Sequence, residues 1–242
     1  MLHLEDIKAM GITTSDGSDL EDNDITYIDD LYCAMEMVEH RFLVDETPSA
    51  NADSEVIESS YTSRLVSKIN ILFENSYNNP YGLDCVGPEK KGIYDIGQES
   101  QMIIKHPDIV IHKGNKPLDG IQEIVCEIKR YSPLSPESMI NDLNKLLRYT
   151  SRNIWGNPYK VGAFIVINST KDQLKNKVDG YRKDFFPIES LVTNEEQHIT
   201  SFSEFVTTYQ ERLKNALCFC HSGEGKVDYC SIYDIIQSKI TH

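Results

Sequence analysis

The order of apolar and polar positions along the chain predicts a β-sheet with helices around it. Short apolar runs at QMIIK (101–105), PDIVIHK (107–113) and IQEIVCEIK (121–129) predict three strands. The turn-rich GNKPLDG joins the last two, which predicts that they pair as a hairpin. The continuous apolar run VGAFIVIN (161–168) predicts a further strand that is covered on both faces.

Helical periodicity surrounds these strands. Helices are predicted to begin near Thr26, Ser54, Ser135, Lys171 and Ser201, with a short helical tail in SIYDIIQSKI. The central order of helix, three strands, helix and strand favours an α/β fold with a mixed rather than a wholly parallel sheet. We therefore expect an acidic N-terminal segment with one amphipathic helix (1–53), an α/β core (54–185) and a C-terminal helical extension packed on that core (186–242).

The charge of the chain is unevenly distributed. Residues 1–60 contain sixteen acidic and two basic residues, which equals the formal net charge of −14 of all 242 residues. Residues 105–183 contain fourteen basic and eight acidic residues, so a basic surface is available to a polyanionic partner. One hypothesis is that the acidic segment covers this surface until nucleic acid displaces it. The alternative is a solvated loop followed by a packed helix.

The N-terminal sequence and the cysteines indicate in which cellular compartment the protein is expected. The first residues show no basic segment leading into an apolar run, and apolar runs are too short to span a bilayer, so we expect a cytoplasmic protein without a membrane partner. The six cysteines are scattered, which favours reduced thiols. Cys218, Cys220, His221 and Cys230 offer zinc ligands, but their spacing is unusual for zinc, and small core thiols are the preferred interpretation.

Three charged residues fall on strands whose other residues are apolar. Side chains alternate across a strand, so Asp108 shares a face with Val110, and Val125 shares a face with Glu127 and Lys129. The hairpin is therefore predicted to bring Asp108, Glu127 and Lys129 together. Charges in a strand interior are unfavourable unless they are paired or bind a metal. The alternative is a surface hairpin on which Glu127 and Lys129 are solvated.

This combination of charges suits phosphodiester hydrolysis. Two neighbouring carboxylates repel each other unless a cation lies between them, and Mg²⁺ prefers such oxygen ligands. A divalent metal makes bound water more acidic and neutralises charge on a phosphate. Asp108 and Glu127 are the predicted ligands of Mg²⁺, for which Mn²⁺ is an expected substitute. Lys129 is predicted to orient the attacking water or to stabilise the developing charge.

Pro107-Asp108 in one strand and Glu127-Ile128-Lys129 in the next resemble the PD-(D/E)xK nuclease superfamily, which has the restriction-endonuclease-like fold. The resemblance covers residues 54–170 and implies an αβββαβ core flanked here by extra N- and C-terminal helices. It also implies a Mg²⁺-dependent nuclease acting on DNA. Members often add a glutamate from the first core helix: Glu58 fits best because it shares the inward stripe of that helix, and Glu55 is the rival. The first core strand of the family is indistinct in this sequence.

Other residues are candidates for contact with nucleic acid. Lys145, Arg148 and Arg152 recur at three- and four-residue spacing and predict a basic stripe that binds phosphates, although a solvated helix face is the alternative. His106 and His112 share the strand face of Asp108, but could equally be edge residues satisfied by neighbours. The lone tryptophan in NIWGNPY could stack on a base or belong to the core.

Two non-enzymatic functions stay open. One is a catalytically silent nuclease-like module that binds nucleic acid or a protein partner. The other is a structural partner protein that docks through the acidic helix of 26–43. The intact acidic pair favours an enzyme, because a site that has lost its activity would tend to lose one carboxylate. Homodimerisation, strandedness and sequence preference are not determined by these patterns.

Overall fold

The computed structural model describes residues 4–43, 54–75, 83–86, 91–94, 102–113, 122–150, 158–183, 187–192 and 198–237. None of the helices in these ranges combines the length and the apolar character that crossing a lipid bilayer requires. The helices are α1 (Leu4–Ala9), α2 (Asp22–Glu36), α3 (Ser54–Asn75), α4 (Pro136–Tyr149), α5 (Lys171–Lys183), α6 (Phe202–Leu213) and α7 (Ile232–Ile236). The strands are β1 (Leu83–Val86), β2 (Lys91–Tyr94), β3 (Met102–Lys105), β4 (Ile109–Lys113), β5 (Gln122–Arg130), β6 (Val161–Ile167), β7 (Pro187–Val192), β8 (His198–Ser201), β9 (Ala216–His221) and β10 (Val227–Ser231).

A six-stranded sheet in the order β1-β4-β5-β6-β9-β10 forms the centre of the molecule. Strands β5, β6 and β9 run parallel to one another, whereas β1, β4 and β10 each run antiparallel to a neighbour. The predicted α/β class with a mixed sheet is confirmed. Strand β6 is buried along its whole length, as its continuous apolar sequence predicts for a strand covered on both faces.

Helices cover both faces of this sheet and divide the core in two. On one face Leu31 of α2 and Leu65 of α3 pack with Ile109, Cys126 and Ile165 of the sheet. On the other face the apolar residues of α4, α5, α6 and α7 pack against the remaining inward residues of the strands. The alternation of β6 serves both halves, since its odd-numbered residues belong to the first cluster and Phe164 and Val166 to the second.

The acidic N-terminal segment is part of this core. Ile7 of α1 and Ile25, Ile28, Leu31 and Met35 of α2 are buried in the same cluster as α3. The four residues of α2 form one stripe of that helix, while most acidic residues of the segment lie on the outside. This agrees with the solvated loop and packed helix. Helix α2 packs against the opposite face of the sheet from α4, and its Asp24 pairs with Lys160 at 2.7 Å. The hypothesis that the segment covers the basic surface stays a prediction.

The edge of the sheet differs from the prediction. QMIIK does form a strand, β3, but β3 pairs with β2 in a separate two-stranded sheet. The strand beside β4 is β1, from LDCV in the turn-rich stretch. A four-residue strand carries too few positions for its periodicity to be recognised, and only pairing with β4 distinguishes it from a turn.

The C-terminal part is not the helical extension predicted for 186–242. After the β7–β8 hairpin and α6, strands β9 and β10 extend the central sheet beyond β6. The segment CFCHSGEGKVDYC is a β-hairpin with Gly225 in the left-handed region (φ 82°) at its turn. Its cysteines, Cys218, Cys220 and Cys230, are free and buried, as the interpretation as core thiols predicts.

His221 at the end of β9 gives the fold a predicted sensitivity to acid. It is fully buried, its Nδ1 lies 2.9 Å from the Tyr61 hydroxyl oxygen, and burial lowers its pKa from 6.5 to about 4. The unfolded chain therefore binds a proton between pH 6.5 and 4 that the folded protein does not, and stability falls as the pH falls through this window. From pH 7 to pH 5 the expected loss from His221 is about 2 kcal/mol.

Urea unfolding of the protein and of His221→Phe at both pH values measures this contribution. Other groups titrate equally in both proteins, so the change between pH 7 and pH 5 should be less destabilising in the variant by about 2 kcal/mol. An equal change in the two proteins would show that His221 is protonated in the folded state at pH 5.

Candidate functional site

The hairpin of β4 and β5 pairs in the predicted way. Ile109 lies opposite Cys126 and Ile111 opposite Ile124, and all four are in the core on the α3 side. Val110 and Val125 belong to the core on the α4 side. Because Glu127 and Lys129 alternate with the residues of the α3 side, both are directed towards α4.

Asp108 is held against β5 immediately before β4 begins. Its Oδ2 accepts a hydrogen bond from the backbone N–H of Ile128 at 2.7 Å, and its own N–H donates to the carbonyl of Cys126 at 3.1 Å. Burial raises the pKa of Asp108, while the hydrogen bond from Ile128 and the charge of Lys129 oppose that shift. The carboxylate is therefore fixed beside the segment that carries Glu127 and Lys129.

Glu127 is the most deeply buried acid of the site, with no exposed surface. Its Oε2 lies 2.8 Å from the Lys145 ammonium, whereas its Oε1 receives no hydrogen bond from the described part of the chain. Burial, and then the charge of Asp142, raise the pKa of Glu127 well above its ordinary value, and Lys145 opposes them. A buried carboxylate oxygen without a donor is a position that a cation would stabilise.

Lys129 and Glu58 connect this hairpin to the beginning of α3. The Lys129 ammonium lies 3.3 Å from Oδ2 of Asp142 and 3.6 Å from Oε2 of Glu58. The other oxygen of Glu58 accepts the backbone N–H of Arg130 at 2.9 Å. The carboxylate of Glu58, the preferred candidate from this helix, therefore lies beside Lys129. The side chain of Glu55 lies outside the described residues.

Helix α4 contributes two residues that the sequence did not assign to the acidic site. Asp142 is almost fully buried and its Oδ1 lies 2.5 Å from the Lys145 ammonium. The two residues are three apart and so share one face of the helix. The helix begins at a Ser135 N-cap, whose hydroxyl accepts the N–H of Ser138 at 3.1 Å. The sequence could have indicated Asp142, because this charged residue lies three positions after Met139 and so falls within the inward stripe of the helix.

The predicted exposed stripe of basic residues differs in the structure. Lys145 is directed into the acidic site, with about a quarter of its side chain exposed, and Arg148 is buried. The buried side of α4 is wider than its stripe of apolar residues. The aliphatic parts of lysine and arginine side chains can pack there while their charged ends contact polar partners. Arg152 lies outside the described residues, and phosphate contact by this helix stays a prediction.

The histidines are less closely associated with the site. His106 is exposed just before the hairpin. His112 is buried near the other end of β4, four residues from Asp108, which corresponds to about 13 Å along a strand. The lone tryptophan falls in 151–157, outside the described residues. A catalytic role for either histidine stays a prediction.

The four carboxylates among these six side chains have the donor type that a hard divalent cation takes. Four carboxylates supply oxygen ligands of the kind that Mg²⁺ and Mn²⁺ prefer, and they exceed the ammonium groups by two. Within the described ranges, no three Asp, Glu, His or Cys side chains already lie at the spacing of a metal site. The Lys145 ammonium lies between Glu127 and Asp142 instead.

The chain matches no protein-family model, no curated protein and no solved structure. What it does chemically is therefore inferred from the charged side chains around Glu127 and from the elements that hold them.

Proposed function

We propose that the protein is a metal-dependent nuclease that hydrolyses phosphodiester bonds in DNA. The observation that carries the proposal is the buried Glu127 beside Asp108 and Lys129, with Glu58 contacting Lys129 from the preceding helix. The order α3, β1, β4, β5, α4, β6, with β2 and β3 as a separate hairpin, supports the proposal because the resemblance implies an αβββαβ core. In this proposal β1, which pairs with β4, is the first core strand.

In this proposal Asp108 and Glu127 hold Mg²⁺ or Mn²⁺. When bound, the metal neutralises charge on the phosphate and makes water a stronger nucleophile. The hydrogen bond from Ile128 orients Asp108, and the backbone of Arg130 orients Glu58. Groups that are already oriented need no rearrangement when the reaction occurs. Much of the catalytic effect of an enzyme originates in this preorganisation.

Lys129 acts as a positive charge rather than as a base. Burial acts to lower the pKa of Lys129, but the carboxylates of Asp142 and Glu58 outweigh it and hold the pKa above its ordinary value. An ammonium that stays protonated can donate hydrogen bonds to a phosphate oxygen and stabilise negative charge that develops there. Glu58 and Asp142 keep that ammonium in place.

A nucleic acid is the substrate class that the charge distribution favours. The region 105–183, which includes the hairpin and α4, has fourteen basic against eight acidic residues. Contacts to phosphates from such a region position a nucleic acid without reading its sequence. DNA is proposed from the resemblance to the nuclease superfamily.

A catalytically silent binding module is the second candidate. The Lys145 ammonium already neutralises part of the charge of Glu127 and Asp142, as would be expected if no metal were needed. Such a module would bind DNA without cleaving it and would bind no Mn²⁺. Calorimetry with Mn²⁺ therefore separates the two candidates.

The proposed activity is tested by incubating the purified protein with supercoiled plasmid and with single-stranded DNA. Cleavage of at least one substrate is expected with Mg²⁺ or Mn²⁺ and not with EDTA. Asp108→Asn is the matched control, because the amide oxygen can still accept the N–H of Ile128 while the negative charge is lost. Cleavage that persists in EDTA, or that is equal in Asp108→Asn, would contradict the proposal.

A further inference from the structure

The ammonium of Lys145 lies between the two most buried carboxylates of the site. It is 2.8 Å from Oε2 of Glu127 and 2.5 Å from Oδ1 of Asp142. We infer that Lys145 is a tethered cation that takes the position of the divalent metal and is displaced when the metal binds. This inference rests on the proposed function, because it concerns the same site, and it adds Asp142 to the residues that face the metal.

The position is one that a cation must fill. Glu127 has no exposed surface and the Asp142 side chain is 4% exposed, so water can solvate neither charge. Two buried carboxylates close together are strongly unfavourable unless a positive charge lies between them. Lys145 supplies that charge from within the chain, so the site can fold before any metal is present.

A single ammonium satisfies this position only in part. Together with Lys129, which lies 3.3 Å from Oδ2 of Asp142, it supplies two positive charges against the four carboxylates of the site. Oε1 of Glu127 still receives no hydrogen bond in the described part of the chain. A divalent cation carries twice the charge and can accept several oxygen ligands at once. The carboxylates therefore have more to gain from a divalent cation than from Lys145.

Lys145 is also able to leave. About a quarter of its side chain is exposed, so it has a direct route to solvent, and a lysine ammonium is carried on a flexible four-carbon stem. Displacement requires rotation of this side chain alone and leaves the backbone of α4 in place. Glu127 and Asp142 would then both be open to the metal.

The test is calorimetric titration of the full chain with Mn²⁺, without DNA. Lys145→Met removes the charge but keeps an aliphatic stem, so the metal no longer has a competitor. We expect Lys145→Met to bind Mn²⁺ about tenfold more tightly than the unaltered protein, or tighter still. Lys145→Arg retains the charge and should bind Mn²⁺ no more tightly than the unaltered protein.

Two further variants complete the experiment. Lys226→Met removes the charge of an exposed lysine that pairs with Asp228 at β10, with β6 and β9 between it and β5, and should leave Mn²⁺ affinity unchanged. Asp142→Asn should weaken Mn²⁺ binding, and it gives an independent measurement if Lys145→Met does not fold. Circular dichroism checks the fold of each variant.

The outcomes separate this inference from the proposed function. If the unaltered protein binds Mn²⁺ and Lys145→Met binds it equally or more weakly, Lys145 is a supporting ion pair, and only the inference is overturned. Unchanged Mn²⁺ binding by Asp142→Asn would also overturn it. If neither the unaltered protein nor Lys145→Met binds Mn²⁺, both the inference and the metal-dependent function are overturned.

Discussion

Replacing Glu127 by glutamine is expected to abolish metal-dependent DNA cleavage while the protein stays folded. Loss of a carboxylate ligand should lower activity by more than about 100-fold, since even the loss of an outer hydrogen-bonding partner in a metal site costs 10- to 100-fold. Mn²⁺ binding measured by calorimetry should be lost in parallel. Cleavage assays with Mg²⁺ provide the second measurement.

The fold of Glu127→Gln should be at least as stable as that of the unaltered protein. Glutamine has nearly the same volume as glutamate, and its neutral side chain removes a charge from the interior. Burial already disfavours that charge, since it raises the pKa of Glu127. Lys145 retains Asp142 as a partner. Thermal unfolding without metal measures this stability.

Glu123→Gln is the matched control for Glu127→Gln. Glu123 is a buried acid on the same strand, and it pairs with a different lysine, Lys160, at 3.1 Å. The Glu123→Gln substitution should leave Mn²⁺ binding and cleavage unchanged. Full activity of Glu127→Gln would contradict the nuclease proposal, whereas equal losses in both variants would indicate damage to β5 in general.

Replacing Lys129 by methionine is expected to stop cleavage without preventing metal binding. The ammonium is proposed to stabilise charge on the phosphate, and removing one such group from an enzyme typically lowers the rate by about 100-fold or more. Mn²⁺ affinity should be unchanged or higher, because a positive charge near Asp142 and Glu58 is removed. Calorimetry and cleavage assays on the same preparation separate the two effects.

Lys177→Met is the control for the loss of a partly buried lysine. The Lys177 ammonium donates hydrogen bonds to the carbonyls of Tyr131 and Ser132, at 2.5 and 3.2 Å. Its loss should leave cleavage unchanged. If Lys129→Met lost Mn²⁺ binding together with cleavage, Lys129 would be needed to assemble the site and not for the reaction.

Strand alternation was sufficient to predict the hairpin face of the site. A period of two residues leaves little freedom, so Ile109 and Cys126 had to lie on the side opposite to Glu127 once the two strands paired. The resemblance implied a glutamate from the first core helix, and the inward stripe of α3 favoured Glu58 over Glu55. The hairpin prediction needed only local geometry and one antiparallel pairing.

The contribution of α4 could not be predicted in that way. Helical periodicity identifies which side of α4 is buried, but not which strand residue each side chain meets. The contacts of Asp142 and Lys145 with one another and with Glu127 depend on how α4 packs across β5, which is a long-range property. Lys145 was therefore predicted to belong to an exposed stripe that binds phosphates, although it pairs with the buried carboxylate of Glu127.

Two strands that flank the β4-β5-β6 part of the sheet were missed for a related reason. The six residues of β9 are uniformly buried and so show neither a period of two nor a helical period. The four residues of β1 are too few to show any period. Their identity as strands comes from pairing with β6 and β4, respectively, which lie far from them in the sequence.

The burial of Ile28, Leu31 and Met35 of α2 means that the acidic part of the chain cannot be shed like a propeptide. Removing it would uncover one side of the hydrophobic core, so the negative field of this segment persists throughout the lifetime of the folded protein. A polyanion that approaches from a distance would meet net repulsion, and it would be attracted by the excess of basic residues in 105–183 only at short range. Dissolved counter-ions shorten that range to about 10 Å at 0.1 M salt. If the proposed nuclease function holds, ionic strength would determine how close a nucleic acid must come before attraction prevails.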